Sequence, residues 1–197
     1  LLNKKKVRDR LYLLLNDAAA YYQKNLLLPT SKIAQDYIKK RNLTNVELQN
    51  FQIGYSKDWT DVISFLKSKN YSLEEMKEAG IIEFKNERPY DVFGGRLMFP
   101  IVNTYGDCVG FSARQLEKSD FAKYKNSSQT LVFDKSKIVY GINLIKKLKL
   151  EKHLDYIVIV EGQMDVIAMH KAGFVNAVAC MGTALTQFHA KEIKRFC

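Results

Sequence analysis

No stretch of this 197-residue chain approaches the roughly 18 apolar residues that a membrane-spanning helix needs, since Glu161 interrupts the run from Tyr156 and Asn16 and Asp17 the run from Leu11. The basic start, Leu1-Leu2-Asn3-Lys4-Lys5-Lys6, imitates a signal peptide without an adequate apolar core or a small-residue cleavage site, so it reads as the beginning of a helix. Cysteine is scarce. Cys108, Cys180 and Cys197 are an odd number without CxxC spacing, and the first two sit in apolar segments where reduced thiols pack as small hydrophobes, which fits a reducing, cytoplasmic compartment. There is no GxxxxGK[ST] or GxGxxG loop, His153, His170 and His189 lack zinc-type spacing, and Ser112, Ser127 and Ser128 lack a GxSxG setting. Acidic residues are in deficit, 21 against 31 Lys and Arg, for a net charge of +10.

What is present is globular: 47% hydrophobic beside 26% charged residues excludes disorder for most of the chain, and the length allows one or two domains. From Val7, Leu11, Leu14, Ala18 and Tyr22 fall near the 3.6-residue period of an amphipathic helix. Ser31 is positioned to cap a second helix carrying Ile33, Ala34, Tyr37 and Ile38. Thr44 with Glu47 and Ser72 with Glu75 fit capping boxes, another helix after Thr60 carries Val62, Ile63, Phe65 and Leu66, and Gly80 ends the last of these. Residues 1 to about 80 are therefore mostly helical, without repeats or low-complexity linkers. From Tyr90 the texture changes to two paired strands, Arg96–Val102 and Cys108–Arg114, around a turn at Asn103–Asp107, with Pro100 suggesting an edge or irregular position. Tyr156–Val160 has the β-branched content of a buried parallel strand; a helix from Asp165 to Ala172 is stopped by Gly173, a strand spans Val175–Met181, and a further helix carries Phe188 and Ile193. This is a βαβα unit, and ligands gather beyond its strand C-termini.

Two constellations could carry chemistry. Glu161 leaves the end of the buried strand and Asp165 follows four residues later; if the turn passes directly into helix, both carboxylates share a side and suit a hard cation such as Mg²⁺. The alternative is an ordinary first-turn acid at Asp165 and a solvated strand-end residue at Glu161. The second constellation is basic: Arg96, Arg114, Lys123, Lys125, Lys135 and Lys137, interspersed with Phe99, Phe111, Tyr124 and Tyr140, a mixture that suits single-stranded nucleic acid. Arg96 and Arg114 are placed to project near one surface and grip phosphate, the alternative being ordinary solvated surface.

The segment Val160-Glu161-Gly162-Gln163-Met164-Asp165, followed by Ala179-Cys180-Met181-Gly182-Thr183, resembles the first half of a TOPRIM domain. Upstream, Asp91-Val92-Phe93-Gly94-Gly95-Arg96-Leu97-Met98-Phe99-Pro100, Gly110-Phe111-Ser112-Ala113-Arg114, Lys123-Tyr124-Lys125-Asn126-Ser127, Ile53-Gly54-Tyr55, Phe133-Asp134-Lys135 and Tyr140-Gly141 resemble the catalytic core of bacterial replicative primases of the DnaG type. The fold so implied is α/β: a helical and mixed α/β N-terminal subdomain over residues 1–150, then a partial Rossmann-like TOPRIM unit over 151–197. The resemblance implies synthesis of short RNA primers on a single-stranded DNA template from ribonucleoside triphosphates, leaving an RNA–DNA hybrid, with Mg²⁺ or Mn²⁺ as cofactor, in the bacterial cytoplasm at the replisome. It gives Glu161 and Asp165 to catalysis and the metal, and Arg41, Arg96, Arg114, Lys123, Asn126 and Lys135 to template or triphosphate.

The chain has no initiator Met and stops within an expected helix, which suggests a piece of something longer. In the family an Asp-x-Asp metal motif belongs on the next strand, so the resemblance implies an incomplete metal site within these residues. It also implies a zinc module and a helicase-binding domain outside them. Departures are Val92 and Gly94 where the family often has arginine, Gln163 where Tyr is common, and Ser136 where Gly is common. A TOPRIM nuclease or topoisomerase, or a non-catalytic single-stranded DNA binding module, is the rival reading.

Overall fold

The structure, a computed structural model, describes residues 2–118 and 120–197. Leu1, the first residue of the expected opening helix, lies outside them. Helix α1 (Leu2–Leu26) buries Leu11, Leu14, Ala18 and Tyr22 as their spacing predicts, and adds Leu15 and Ala19 to widen the apolar stripe. Helix α2 (Lys32–Lys40) begins after Ser31, but the expected side-chain cap is absent: Ser31 Oγ donates to Asn25 O at 2.5 Å and ties the end of α1 to the start of α2 instead. Both expected capping boxes form. Glu47 accepts from Thr44 N at 2.7 Å before α3 (Asn45–Asn50), and Glu75 accepts from Ser72 N at 2.8 Å before α5 (Leu73–Glu78), with α4 (Asp61–Ser68) between them. The short strand β1 (Gly54–Tyr55) runs so close to α1 that a Cβ on Gly54 would stand 2.6 Å from the Tyr22 backbone carbon. Only glycine fits there.

Strand structure starts earlier than Tyr90. β2 (Ile82–Lys85) and β3 (Arg88–Asp91) pair around Asn86 and Glu87, both at positive φ, in a hairpin too polar to show period-two patterning. β4 (Arg96–Val102) and β5 (Cys108–Gln115) pair as expected, and with β1 and β6 (Tyr124–Asn126) they form an antiparallel sheet in the order β1-β4-β5-β6. Pro100 therefore lies on an inner strand, but β1 reaches only Leu97 and Met98, so Pro100 is paired on one side alone.

Alternation divides this sheet into two faces. Met98, Phe111 and Ala113 pack with Leu14, Tyr22, Val62, Leu66 and Met76, so α1, α4 and α5 cover the first face. Leu97, Phe99, Ile101 and Val109 pack with Ala34, Ile38, Phe51, Val166 and Met181 on the second. β4 is consequently buried along its whole length.

After α6 (Ile142–Glu151) comes the expected βαβα unit: β7 (Val158–Val160), α7 (Gln163–Lys171), β8 (Ala177–Ala179) and α8 (Gln187–Lys194), with β7 and β8 parallel. The expectation of a buried first strand is corrected. Ile159 is 42% exposed on a strand that, among the described residues, pairs with β8 alone, whereas β8 is wholly buried and also bridges Tyr140. Val166, Ile167 and Met181 of this unit belong to the core on the second face of the larger sheet, so the two parts share one apolar interior. Cys108 and Cys180 are buried free thiols, and burial pushes the Cys108 thiol up to about 12. Among the described residues no helix is long and apolar enough to cross a membrane.

Candidate functional site

The register corrects the expectation that Arg96 and Arg114 approach one surface. Arg96 pairs with Gln115 and Leu97 with Arg114, so the two arginines point to opposite faces of the sheet. On the first face Arg96 is buried; its Nη1 donates to Ala122 O at 3.0 Å, and burial lowers its pKa. With Lys85, Arg88 and Lys125 it lines an open cleft of about 1030 Å³ that also presents Trp59, Tyr90 and Phe121. Lys125 shares this wall because it pairs with Ala113, and its pKa is lowered first by burial and then by the neighbouring Arg96. Gly94 underlies the cleft: a Cβ there would stand 2.6 Å from the Trp59 ring, so the indole rests on bare backbone. Asp91, buried and accepting from Tyr22 Oη (2.9 Å), Ser56 Oγ (2.6 Å) and Phe93 N (2.8 Å), fixes the turn that carries Gly94 and opens β4. Desolvation pushes its carboxyl up to about 6 against those three bonds.

The second face carries Arg114, Tyr124, Ser112 and Asn126, which the register aligns on β5 and β6. The Arg114 guanidinium lies 4.4 Å from the Tyr37 ring centroid and 5.9 Å from that of Tyr124; Arg41, at the end of α2, lies 5.4 Å from the Tyr37 centroid, and Lys123 5.7 Å from that of Tyr124. Arg41 and Arg114 are thus brought together on Tyr37, with Asn126 one pleat further along; Lys123 lies at the edge, against the ring of its chain neighbour Tyr124. Lys135 is exposed on a separate loop, whose carbonyl at Lys135 is in hydrogen-bond contact with His189 Nε2 at 2.9 Å. Four buried side-chain atoms have no hydrogen-bond partner among the described residues: Tyr140 Oη within the core, and Tyr37 Oη, Arg114 Nε and Asn126 Oδ1 together on this face. Buried polar atoms are nearly always paired in native proteins, so such a cluster marks a place where a ligand completes the bonding. Phe99, Phe111 and Tyr140, grouped with the cations as aromatic faces for single-stranded nucleic acid, are core residues instead.

The acidic turn meets this second face. Gln163, the first residue of α7, is buried and its Nε2 donates to Ser112 Oγ at 2.9 Å; a Cβ on Gly182 would stand 3.3 Å from Asn126 Nδ2. Glu161, two residues before Gln163, is therefore held close to the cation-bearing strands. Its helical pairing with Asp165 is corrected: Gly162 is extended (φ −144°, ψ 173°), so Glu161 stays outside the helix, and Asp165 Oδ2 accepts from Gly162 N at 3.2 Å. Both carboxylates are exposed at the end of β7. Among the described residues no group of three or more His, Cys, Asp or Glu side chains is gathered for a metal ion. Glu161 and the free Asp165 oxygen fit the hard-oxygen chemistry of Mg²⁺ as part of a ligand set.

Three of these residues went unrecognised from sequence as site residues. In the sequence Tyr37 is one of the residues carried by the second helix, four before Arg41; Trp59 is the only tryptophan; Gln163 stands out solely as a departure from the family pattern.

A basic sheet whose second face abuts the carboxylate end of a parallel βαβα unit defines a nucleic-acid enzyme core of the Toprim class. The family model of the DNA primase catalytic core, N-terminal domain, matches residues 21–146, and that of the Toprim domain matches residues 155–196. The chain is 40% identical over 195 residues to the DNA primase of Clostridium acetobutylicum, covering 98% of this chain and 32% of that protein, and 38% identical over 185 residues to that of Lactococcus lactis, covering 91% and 28%. Among solved structures it is similar to the RNA polymerase domain of Mycobacterium tuberculosis primase DnaG (TM-score 0.87, 34% identity, 96% of this chain and 62% of that one). It is equally similar to a DnaG primase catalytic domain bound to ssDNA (TM-score 0.87, 33% identity, 98% and 60%). The chain belongs to the bacterial DnaG-type primase family, as a segment of its catalytic core. It spans about a third of the length of the curated relatives it matches.

Proposed function

We infer that this chain carries the nucleotidyl-transfer centre of a primase that makes short RNA primers on single-stranded DNA from ribonucleoside triphosphates. The observation that carries the reading is the buried Gln163–Ser112 bond, which seats the Glu161 turn against the strands bearing Arg114 and Asn126. Bond formation brings a 3′-hydroxyl, a triphosphate and a polyanionic template together, so charge neutralisation dominates the chemistry. Arg41, Arg114 and Lys123 hold the triphosphate by charge-assisted bonds, and Asn126 accepts from a donor on the same nucleotide. Arg96, Lys125 and the Trp59 cleft on the opposite face hold template DNA, cations on phosphate and rings on bases. Lys135 serves template or triphosphate from its own loop. Glu161 and Asp165 would hold Mg²⁺ or Mn²⁺ as part of its ligand set, and the ion would supply the lowering of the hydroxyl pKa and the neutralisation of developing charge. A division near residue 150 separates the part bearing the cations from the part bearing the carboxylates. The RNA–DNA hybrid product, the replicative helicase and a zinc module are partners and parts expected of the intact protein, acting in the bacterial cytoplasm.

The test is Glu161→Gln in the intact protein, which removes a charge and no packing. Primer synthesis should fall nearly to zero while single-stranded DNA affinity and thermal midpoint stay at the wild-type values. Near-normal synthesis would take Glu161 out of the chemistry, and plasmid nicking by the wild type would favour the nuclease reading.

A further inference from the structure

Arg41 and Arg114 come from different elements, the end of α2 and the middle of β5, and lean on one ring, that of Tyr37, at 5.4 and 4.4 Å. Two guanidiniums drawn to one point repel each other, and among the described residues neither is ion-paired with a carboxylate. An anion placed among them removes that repulsion. The donors left open beside them agree in sign: Arg114 Nε is buried and unpartnered, and the buried Tyr37 hydroxyl, whose oxygen faces Arg41, has its own proton uncommitted, so both can give a proton to an oxygen. Burial raises the Tyr37 pKa, opposed by Arg114 and Arg41, so the phenol keeps its proton and remains a donor.

We propose that Tyr37 is a further phosphate-binding residue of this face: its hydroxyl donates to a phosphate oxygen held by Arg114 and Arg41, while its ring presents those two guanidiniums to the same anion. The phosphate belongs to a ribonucleotide. The third open atom, Asn126 Oδ1, is an acceptor two residues along β6 from Tyr124, about 7 Å at strand spacing. Bare DNA phosphodiester offers it no donor, whereas a ribose carries hydroxyls. This choice of ligand rests on the nucleotide reading of the second face given above.

The experiment uses the intact protein with Mg²⁺ and two probes, ATP and a fluorescein-labelled oligo(dT), with Tyr37→Phe and Tyr37→Leu. Tyr37→Phe keeps the ring and removes one hydrogen bond to a charged group, so ATP affinity should weaken about tenfold with an unchanged thermal midpoint. Tyr37→Leu also releases the two guanidiniums and should weaken ATP further. Oligo(dT) affinity and its salt dependence should hold in both variants. If oligo(dT) binding weakens and ATP binding does not, Tyr37 binds phosphate as proposed but the nucleotide reading of this face fails. If Tyr37→Phe binds both probes like the wild type, the proposal is overturned, whatever Tyr37→Leu does.

Discussion

Replacing Asp91 by Asn should change how stability depends on pH. The carboxyl is fully buried and forms no ion pair among the described residues, and desolvation raises its pKa from 3.8 to about 6 although three donors face it. At about 1.4 kcal/mol per pH unit, that rise corresponds to about 3 kcal/mol. The folded protein holds this proton to higher pH than the unfolded chain does, so between about pH 4 and 6 the native state binds more protons. The contribution to stability is present below pH 4 and lost as pH rises through 6. Asparagine does not titrate; its oxygen can keep the Phe93 N–H bond, and its amide can donate to the Ser56 and Tyr22 hydroxyls, which accept as readily as they donate. Urea unfolding followed through Trp59 fluorescence at several pH values gives both stabilities. Glu47, Glu75 and Asp134, whose pKa values are lowered, favour the opposite slope but cancel in the difference between the two proteins. Wild-type stability minus variant stability should drop by about 3 kcal/mol from pH 4 to pH 7. Parallel profiles would show that the buried carboxylate is not paying the desolvation cost assigned to it.

Gln163→Leu should destabilise the chain by about 1–3 kcal/mol, because it leaves the buried Ser112 hydroxyl without its donor. Adding Ser112→Ala should recover part of that loss in a double-mutant cycle, and strict additivity would mean the bond contributes nothing. In the intact protein, Lys125→Ala should make the slope of log affinity for single-stranded DNA against log salt shallower by about 0.7, the value for one lost phosphate contact. Lys123→Ala should instead raise the apparent nucleotide KM and leave that slope alone; the reverse pattern would exchange the roles of the two faces.

Local signals gave the helical part away. The Thr44/Glu47 and Ser72/Glu75 boxes and the α1 stripe each lie within one turn or one repeat of sequence, and each formed where expected. The β2–β3 hairpin escaped because its strands are polar and its turn relies on Asn86 and Glu87 at positive φ, with no glycine to announce it. Ser31 had cap chemistry, but a nearer carbonyl, that of Asn25, claimed its hydroxyl. At the site, residue types were legible and relative placement was not. Arg96 and Arg114 both flank apolar strands, and only the register, with Leu97 opposite Arg114, shows them back to back. Tyr37 and Gln163 could not be found from local pattern, since each matters through a contact to β5 far away in the chain.

Along β5 and β6, chain neighbours serve different compartments: Arg114 and Gln115, or Lys125 and Asn126, are one peptide apart yet meet opposite sides of the sheet. A point substitution in this stretch is therefore an edit to one compartment, and substitutions on opposite faces should combine additively in evolution or in the laboratory. A one-residue insertion or deletion acts otherwise: it would carry Lys125 to the side of Arg114 and Asn126 to the side of Arg96, trading the contents of both compartments at once. Diversity in this family core should accordingly accumulate by replacement within these strands, with changes of length confined to the segments that join them.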